Sequence, residues 1–295
     1  RVGTFEYFAA QGNVGALRTL VDYAIDRHYP EVKGDEAPYV SFFRSVADRH
    51  AELTARWMSV GFIHGVMNTD NFTISAETID YGPAAYMDEF RFNKVFSSID
   101  QHGRYAYANQ APITQWNLAR LADTLILLGA AKSGLKKVLA EFPARYDKCY
   151  LALMRPKFGL QEASDSDAQL IDDWLIYLQD KELDYTLSFR KLATRIDAAD
   201  ASHFGEFELR WRQRIGEQKM EPTEIFALMN SVNPLFIPRN HRVEQAIQKA
   251  VAGDLMMFDD LNAVLARPFV EQPKFAHYAE APERDERVTR TFCGT

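Results

Sequence analysis

The stretch from His64 to Pro83, HGVMNTDNFTISAETIDYGP, constrains this chain more than any other. Two short apolar, β-branched runs, Phe72-Thr73-Ile74 and Thr78-Ile79, flank the polar trio Ser75-Ala76-Glu77, a pattern that predicts a small hairpin. Asn68, Asp70 and Asn71 stand just before it, and Asp80 stands just after it in Asp80-Tyr81-Gly82. A hairpin joins its own ends, so oxygen donors on Asn71 and Asp80 would face one point in space. That arrangement suits a hard, partly hydrated cation such as Mg²⁺.

Helical periodicity surrounds the stretch. Val14, Leu17, Val21, Ala24 and Ile25 predict a helix from an Asn13 N-cap to a stop at Pro30. Val40, Phe43, Val46, Ala47, His50, Leu53, Trp57 and Val60 predict a second, ending near Gly61 and feeding the chain straight into His64. Beyond a Gly- and Ser-punctuated segment to Gly103, helical spacing returns over Gln115 to Leu128. Further helices are predicted near 135–154, 167–180, 183–197, 203–215 and 241–252, separated by breakers at Pro156, Gly159, Pro222, Pro234 and Pro238. Arg239, Asn240, His241 and Arg242 read as an N-cap and solvated face, and Ala281 to Arg290 as a charged, flexible tail.

Composition narrows the class. Of 295 residues, 47% are hydrophobic and 13% aromatic, enough for one large domain or two smaller ones. A net charge of −7 argues against nucleic acid as the main partner. The longest apolar run, Leu121 to Ala131, is too short to cross a bilayer, so no membrane partner is expected. Two cysteines, Cys149 and Cys293, are too few for a disulfide scaffold or a four-ligand zinc site, and a reducing, cytoplasmic setting is the expectation. The opening at Arg1 without Met suggests a piece of a longer protein, whose upstream part could carry a mitochondrial transit peptide.

The central stretch also lies on the protein-kinase pattern H-R-D-L-x-x-x-N followed by D-F-G. With His64 as the His, Asn71 falls on the metal-binding Asn and Asp80-Tyr81-Gly82 on D-F-G. Val66 then occupies the position of the catalytic Asp and cannot accept a proton. Asp70 is the carboxylate left in the loop to substitute for it. Asn and Asp are also ordinary turn residues and Asp70 could simply cap the loop, but the spacing from His64 favours the metal reading of Asn71 and Asp80.

HGVMNTDN, TIDYGP, the opening RVGTFEYFAA, SIDQHGRYAYANQ and NPLFIPRNHRVEQAI together resemble the selenoprotein O (YdiU) family over essentially the whole chain. The resemblance implies a pseudokinase-like fold that transfers AMP from ATP to hydroxyl side chains of proteins, with Mg²⁺ or Mn²⁺. It implies Asn71 and Asp80 as metal ligands, Asp70 as proton acceptor and Arg1 as a contact to ATP phosphates; Arg1 could equally be a plain terminal charge. Cys293 resembles the selenocysteine or cysteine near the family's C-terminus, whereas Asp88 to Ser98 lacks the cysteine some members carry there. Ala76 stands where Gly is expected in many relatives.

The expected architecture is mainly α: residues 1–132 form a kinase-like C-terminal lobe with a small catalytic β-hairpin, and 133–295 a helical extension. No Gly-rich phosphate loop or V-A-I-K lysine precedes the loop, so the chain alone is expected to be inactive. A kinase-like phosphotransferase using Asp70, or a non-catalytic scaffold, stand as the alternatives.

Overall fold

The computed structural model describes residues 1–200 and 203–292. Its described residues are mainly helical: α1 (Val2–Ala10), α2 (Val14–His28), α3 (Pro38–Ser59), α4 (Gln110–Ile126), α5 (Lys132–Lys157), α6 (Asp167–Asp180), α7 (Tyr185–Ala193), α8 (Gly205–Gly216), α9 (Pro222–Val232), α10 (Asn240–Val251) and α11 (Met256–Leu265). The predicted caps explain several boundaries. Asn13 accepts a hydrogen bond from the Ala16 amide at 3.0 Å, and α2 stops two residues before Pro30. Pro222 starts α9 instead of ending a helix, because the missing amide costs nothing at the first helical position; Glu221 and Glu224 close a reciprocal cap around it.

α5 runs through Pro143, which the proline rule would have made a break. Pro143 cannot donate to the Leu139 carbonyl one turn back, and the side-chain amide of Gln115 on α4 donates to it instead at 2.8 Å. A tertiary contact thus replaces the missing helical bond. α5 also joins two cores: Leu135, Val138 and Phe142 pack with Val21, Phe42, Phe43 and Leu121, whereas Met154 packs with Phe158, Trp174, Phe189 and Trp211. A smaller core under α10 and α11 gathers Phe236, Met257, Leu261 and Val264.

The predicted hairpin strands at 72–74 and 78–79 are not strands. The antiparallel pair lies further out, between β1 (Phe62–Ile63) and β2 (Ala85–Tyr86), with Phe62 opposite Tyr86 and Ile63 opposite Ala85. The carbonyls of 72–74 have other partners: the Val2 amide reaches Phe72 at 2.8 Å, His50 reaches Thr73 at 2.6 Å and the Tyr29 hydroxyl reaches Ile74. With its acceptors taken by helices, the run has no ladder to form.

Two surface assignments are likewise corrected. Arg239 is buried and paired with Asp88 at 2.7 Å and Asp184 at 2.6 Å, and Asn240 donates to the Tyr86 carbonyl at 2.8 Å, so this cluster is interior and not a solvated face. The tail is tied down: Arg287 pairs with Glu89 at 2.6 Å, and Thr291 bonds the Phe96 carbonyl, the Ser98 amide and the Pro83 carbonyl. Cys293 lies outside the described residues.

Lys157, at the end of α5, is 3% exposed. Burial pushes its ammonium down to about 7 from the ordinary 10.5, and the ring face of Phe189, 4.2 Å from Nζ, offsets part of that cost. Between pH 7 and 10.5 the unfolded chain binds the additional proton, so stability rises with pH across that window. Lys157→Met is expected to stabilise the protein at neutral pH by about 1–4 kcal/mol and to remove that rise. Denaturant unfolding of both forms across the window checks it.

Candidate active site

α3 delivers the chain through β1 into a loop whose backbone is held by buried side chains of the surrounding helices. Gln110 accepts from the His64 amide and donates to the Phe62 carbonyl, both at 3.0 Å. Asn117 donates to the Met67 carbonyl at 2.9 Å, and Trp57 donates to Thr78 Oγ1 at 3.0 Å. His50 stacks on Phe72, ring centroids 3.8 Å apart, while bonding the Thr73 carbonyl. Gly65 has φ +82, and a Cβ there would lie 2.8 Å from the Pro83 carbonyl oxygen, so only glycine lets the two sides of the loop come this close.

His64 is buried and structural, as the sequence suggests. Its Nδ1 accepts from the Val66 amide at 3.4 Å, leaving Nε2 to donate to the Ile79 carbonyl at 2.8 Å. Burial lowers its pKa, against the hydrogen bond to Ile79 and the charge of Asp80. The imidazole therefore bridges the two sides of the loop as a neutral ring. Asn68 bonds the amides of Asp70 and Asn71 at 2.9 and 3.1 Å, capping a 3₁₀ turn over Thr69–Asn71, so it serves the backbone and leaves the Asp70 carboxylate alone.

Asn71 and Asp80 meet without a hairpin ladder between them: Asn71 Nδ2 donates to Asp80 Oδ2 at 2.8 Å. Asp80 holds φ +57, a left-handed conformation that Asp tolerates better than most residues. Among the described residues the Asn71 amide oxygen and the second Asp80 carboxylate oxygen have no hydrogen-bond partner, so both could serve a cation. Asp70 is exposed beside the first turn of α1, where its Oδ1 occupies the space that a Cβ on Gly3 would need. Arg1 is the residue immediately before α1. Of the four predicted residues the structure joins Asn71 with Asp80, and it places Asp70 beside the first turn of α1, which follows Arg1.

Sequence reasoning missed the anchors. His50 and Trp57 were visible only as members of an apolar stripe, and Gln110 and Asn117 come from a helix 46 and 50 residues further along. Nothing in their local pattern marks them. Cys149, the other cysteine, is a half-buried free thiol pushed upward by burial and by Glu52.

The sequence that builds this loop and the helices around it matches a family of transferases. The family model described as Protein adenylyltransferase SelO matches residues 1–266, and the chain belongs to that family. More particularly, it is 49% identical over its whole length to Protein nucleotidyltransferase YdiU of Rhizobium etli CFN 42, covering 62% of that protein. It is 50% identical to the protein of that name from Rhizobium meliloti 1021, covering 64%, and 48% identical to that of Bradyrhizobium diazoefficiens, covering 63%. The chain therefore spans somewhat under two thirds of the length of these relatives. Among the described residues no helix is long and apolar enough to cross a membrane.

The braces predict an acid sensitivity. Burial lowers His50 to about 4 from 6.5, against its bond to Thr73, so the native state keeps it neutral while the unfolded chain takes up a proton. Stability present above pH 6.5 is lost as pH falls toward 4, by about 3 kcal/mol from this group. His50→Gln, which can still donate to the Thr73 carbonyl, is expected to lose this part of the acid dependence in urea titrations.

Proposed function

We propose that the intact protein transfers AMP from ATP to hydroxyl side chains of other proteins, with Mg²⁺ or Mn²⁺ as cofactor. The observation that carries this reading is the Asn71–Asp80 pair, held at 2.8 Å on a loop braced by four helical side chains. The donor set fits a hard cation. Among the described residues no group of three or more His, Cys, Asp and Glu could hold a metal, which disfavours a zinc-type site. One carboxylate and one amide oxygen suit an ion that keeps most of its waters and takes its remaining ligands from substrate phosphates. Bound there, the ion would supply neutralisation of phosphate charge.

The protein's own residues take the other roles. Asp70, exposed and with no hydrogen bond to its carboxylate among the described residues, is the proton acceptor for the attacking hydroxyl. Arg1, across the same turn, contacts nucleotide phosphates. Val66, buried at the position of a kinase's catalytic Asp, disfavours ordinary phosphotransfer by that route. In this reading residues 1–132 act as a kinase-like C-terminal lobe and 133–295 as its helical extension, working in a cytoplasmic setting. Since transfer depends on positioning and charge neutralisation, a nucleotide clamp from the remaining part of the longer protein completes the site.

Labelling decides among the readings. With the intact protein and a protein substrate, label is expected from α-³²P-ATP and not from γ-³²P-ATP; γ-label alone means phosphotransfer, and neither label means a scaffold. Asp80→Asn keeps the left-handed conformation and an acceptor for Asn71, so its melting temperature should hold while transfer falls by about 100-fold or more. Residues 1–295 alone should transfer no AMP, and co-expression with the upstream part should restore it.

A further inference from the structure

We propose that the cleft between α5 and α6, distinct from the Asn71–Asp80 loop, binds a small organic ammonium ion carried on an apolar body. The cleft has a volume of about 430 Å³, within the range of about 300–1,000 Å³ found for small-molecule sites. It runs from the surface down to Met58 at the end of α3, and its walls are Tyr107, Tyr146 and Tyr150. Tyr146 and Tyr150 lie nearly parallel, 12° apart in plane with centroids at 5.8 Å, so the cleft is walled by stacked aromatic rings. Burial holds the hydroxyls of all three tyrosines well above their ordinary pKa, and they stay uncharged. Such rings attract a cation through their π faces.

The mouth supplies the complementary charge. Asp147 and Asp172 line it, one from each helix, and neither carboxylate has an ion-pair or hydrogen-bond partner among the described residues. Although Asp172 keeps much of its surface in water, partial desolvation at the cleft wall raises it, and the like charges of Asp173 and Asp147 raise it further. The neighbouring Asp173 differs: it is neutralised by Arg210. Two unpaired carboxylates above an aromatic pit therefore lack the one component that would satisfy both, a positive charge on a body apolar enough to enter. An anion or a neutral sugar would meet repulsion or unmatched apolar walls.

The floor of the cleft reaches the loop already described. The Tyr107 hydroxyl donates to the Met58 carbonyl at 2.7 Å, and Met58 Sδ accepts from Gln110, whose own carbonyl oxygen holds the His64 amide. A bound cation would therefore rest on the residues that end α3.

Calorimetric titration of the chain with phenethylammonium and with its uncharged counterpart 2-phenylethanol tests the assignment. Saturable binding of the ammonium is expected, at least about tenfold tighter than the alcohol and weakened by added salt. Asp147 and Asp172 are exposed, so the double variant Asp147→Asn, Asp172→Asn should fold with an unchanged melting temperature and bind the ammonium only as well as the alcohol. Tyr146→Leu, at a half-buried ring, should weaken the ammonium more than the alcohol. No saturable binding, equal affinity for the two probes, or an ammonium affinity unmoved in either variant overturns the proposal.

Discussion

From His64 to Ala84 the backbone forms no strand and only one short 3₁₀ turn, yet several of its residues are buried, and enclosed amides and carbonyls need partners. Those partners include side chains, Gln110 and Asn117 from α4, His50 from α3 and Tyr29 just beyond α2, while Trp57 of α3 holds the Thr78 hydroxyl. Everything proposed for the site depends on this exchange of strand pairing for side-chain bonds. A ladder would have fixed only the two edges of a hairpin. The side chains instead fix individual carbonyls from several directions, which holds the ends of the loop at the separation where Asn71 meets Asp80.

The same logic recurs where the helical scaffold departs from simple rules. Gln115 takes the carbonyl that Pro143 leaves unpaired, and so α5 continues long enough to serve two cores. Asp167, fully buried, accepts from Arg155 at 2.7 Å and Arg214 at 2.8 Å, joining α5, α6 and α8. Burial would raise that carboxyl, but the hydrogen bonds from Arg214, Ser164 and Arg155 outweigh it and hold it below its ordinary value. Arg239 does the corresponding work near β2, between Asp88 and Asp184. Removing one partner from either cluster would leave a charge buried and uncompensated, a far larger penalty than loss of a surface pair.

Function follows from what these constraints leave free. In a loop where most polar groups are committed, the carboxylate of Asp70 and one oxygen each of Asn71 and Asp80 are not. Gly65 matters for the same reason: it lets the backbone come close to Pro83, where a methyl group would collide with the carbonyl. The proposed metal-assisted transfer would use such free oxygens on a braced frame, because preorganised charge needs no rearrangement during reaction.

The mainly helical class, the caps at Asn13 and near Gly61, the span of α6 and the pairing of Asn71 with Asp80 were legible in the residues alone, since each follows from short-range periodicity or spacing. Membership of the family was legible from its motifs. Tertiary structure decided the rest. Phe72 to Ile74 looks like strand by its side chains but is loop because helices claim its carbonyls. Arg239 and His241 look solvated by their charge but are interior because two carboxylates neutralise the arginine there. A local pattern records what a residue prefers, whereas the partners that override the preference come from helices tens of residues away, and only the folded chain brings them into reach.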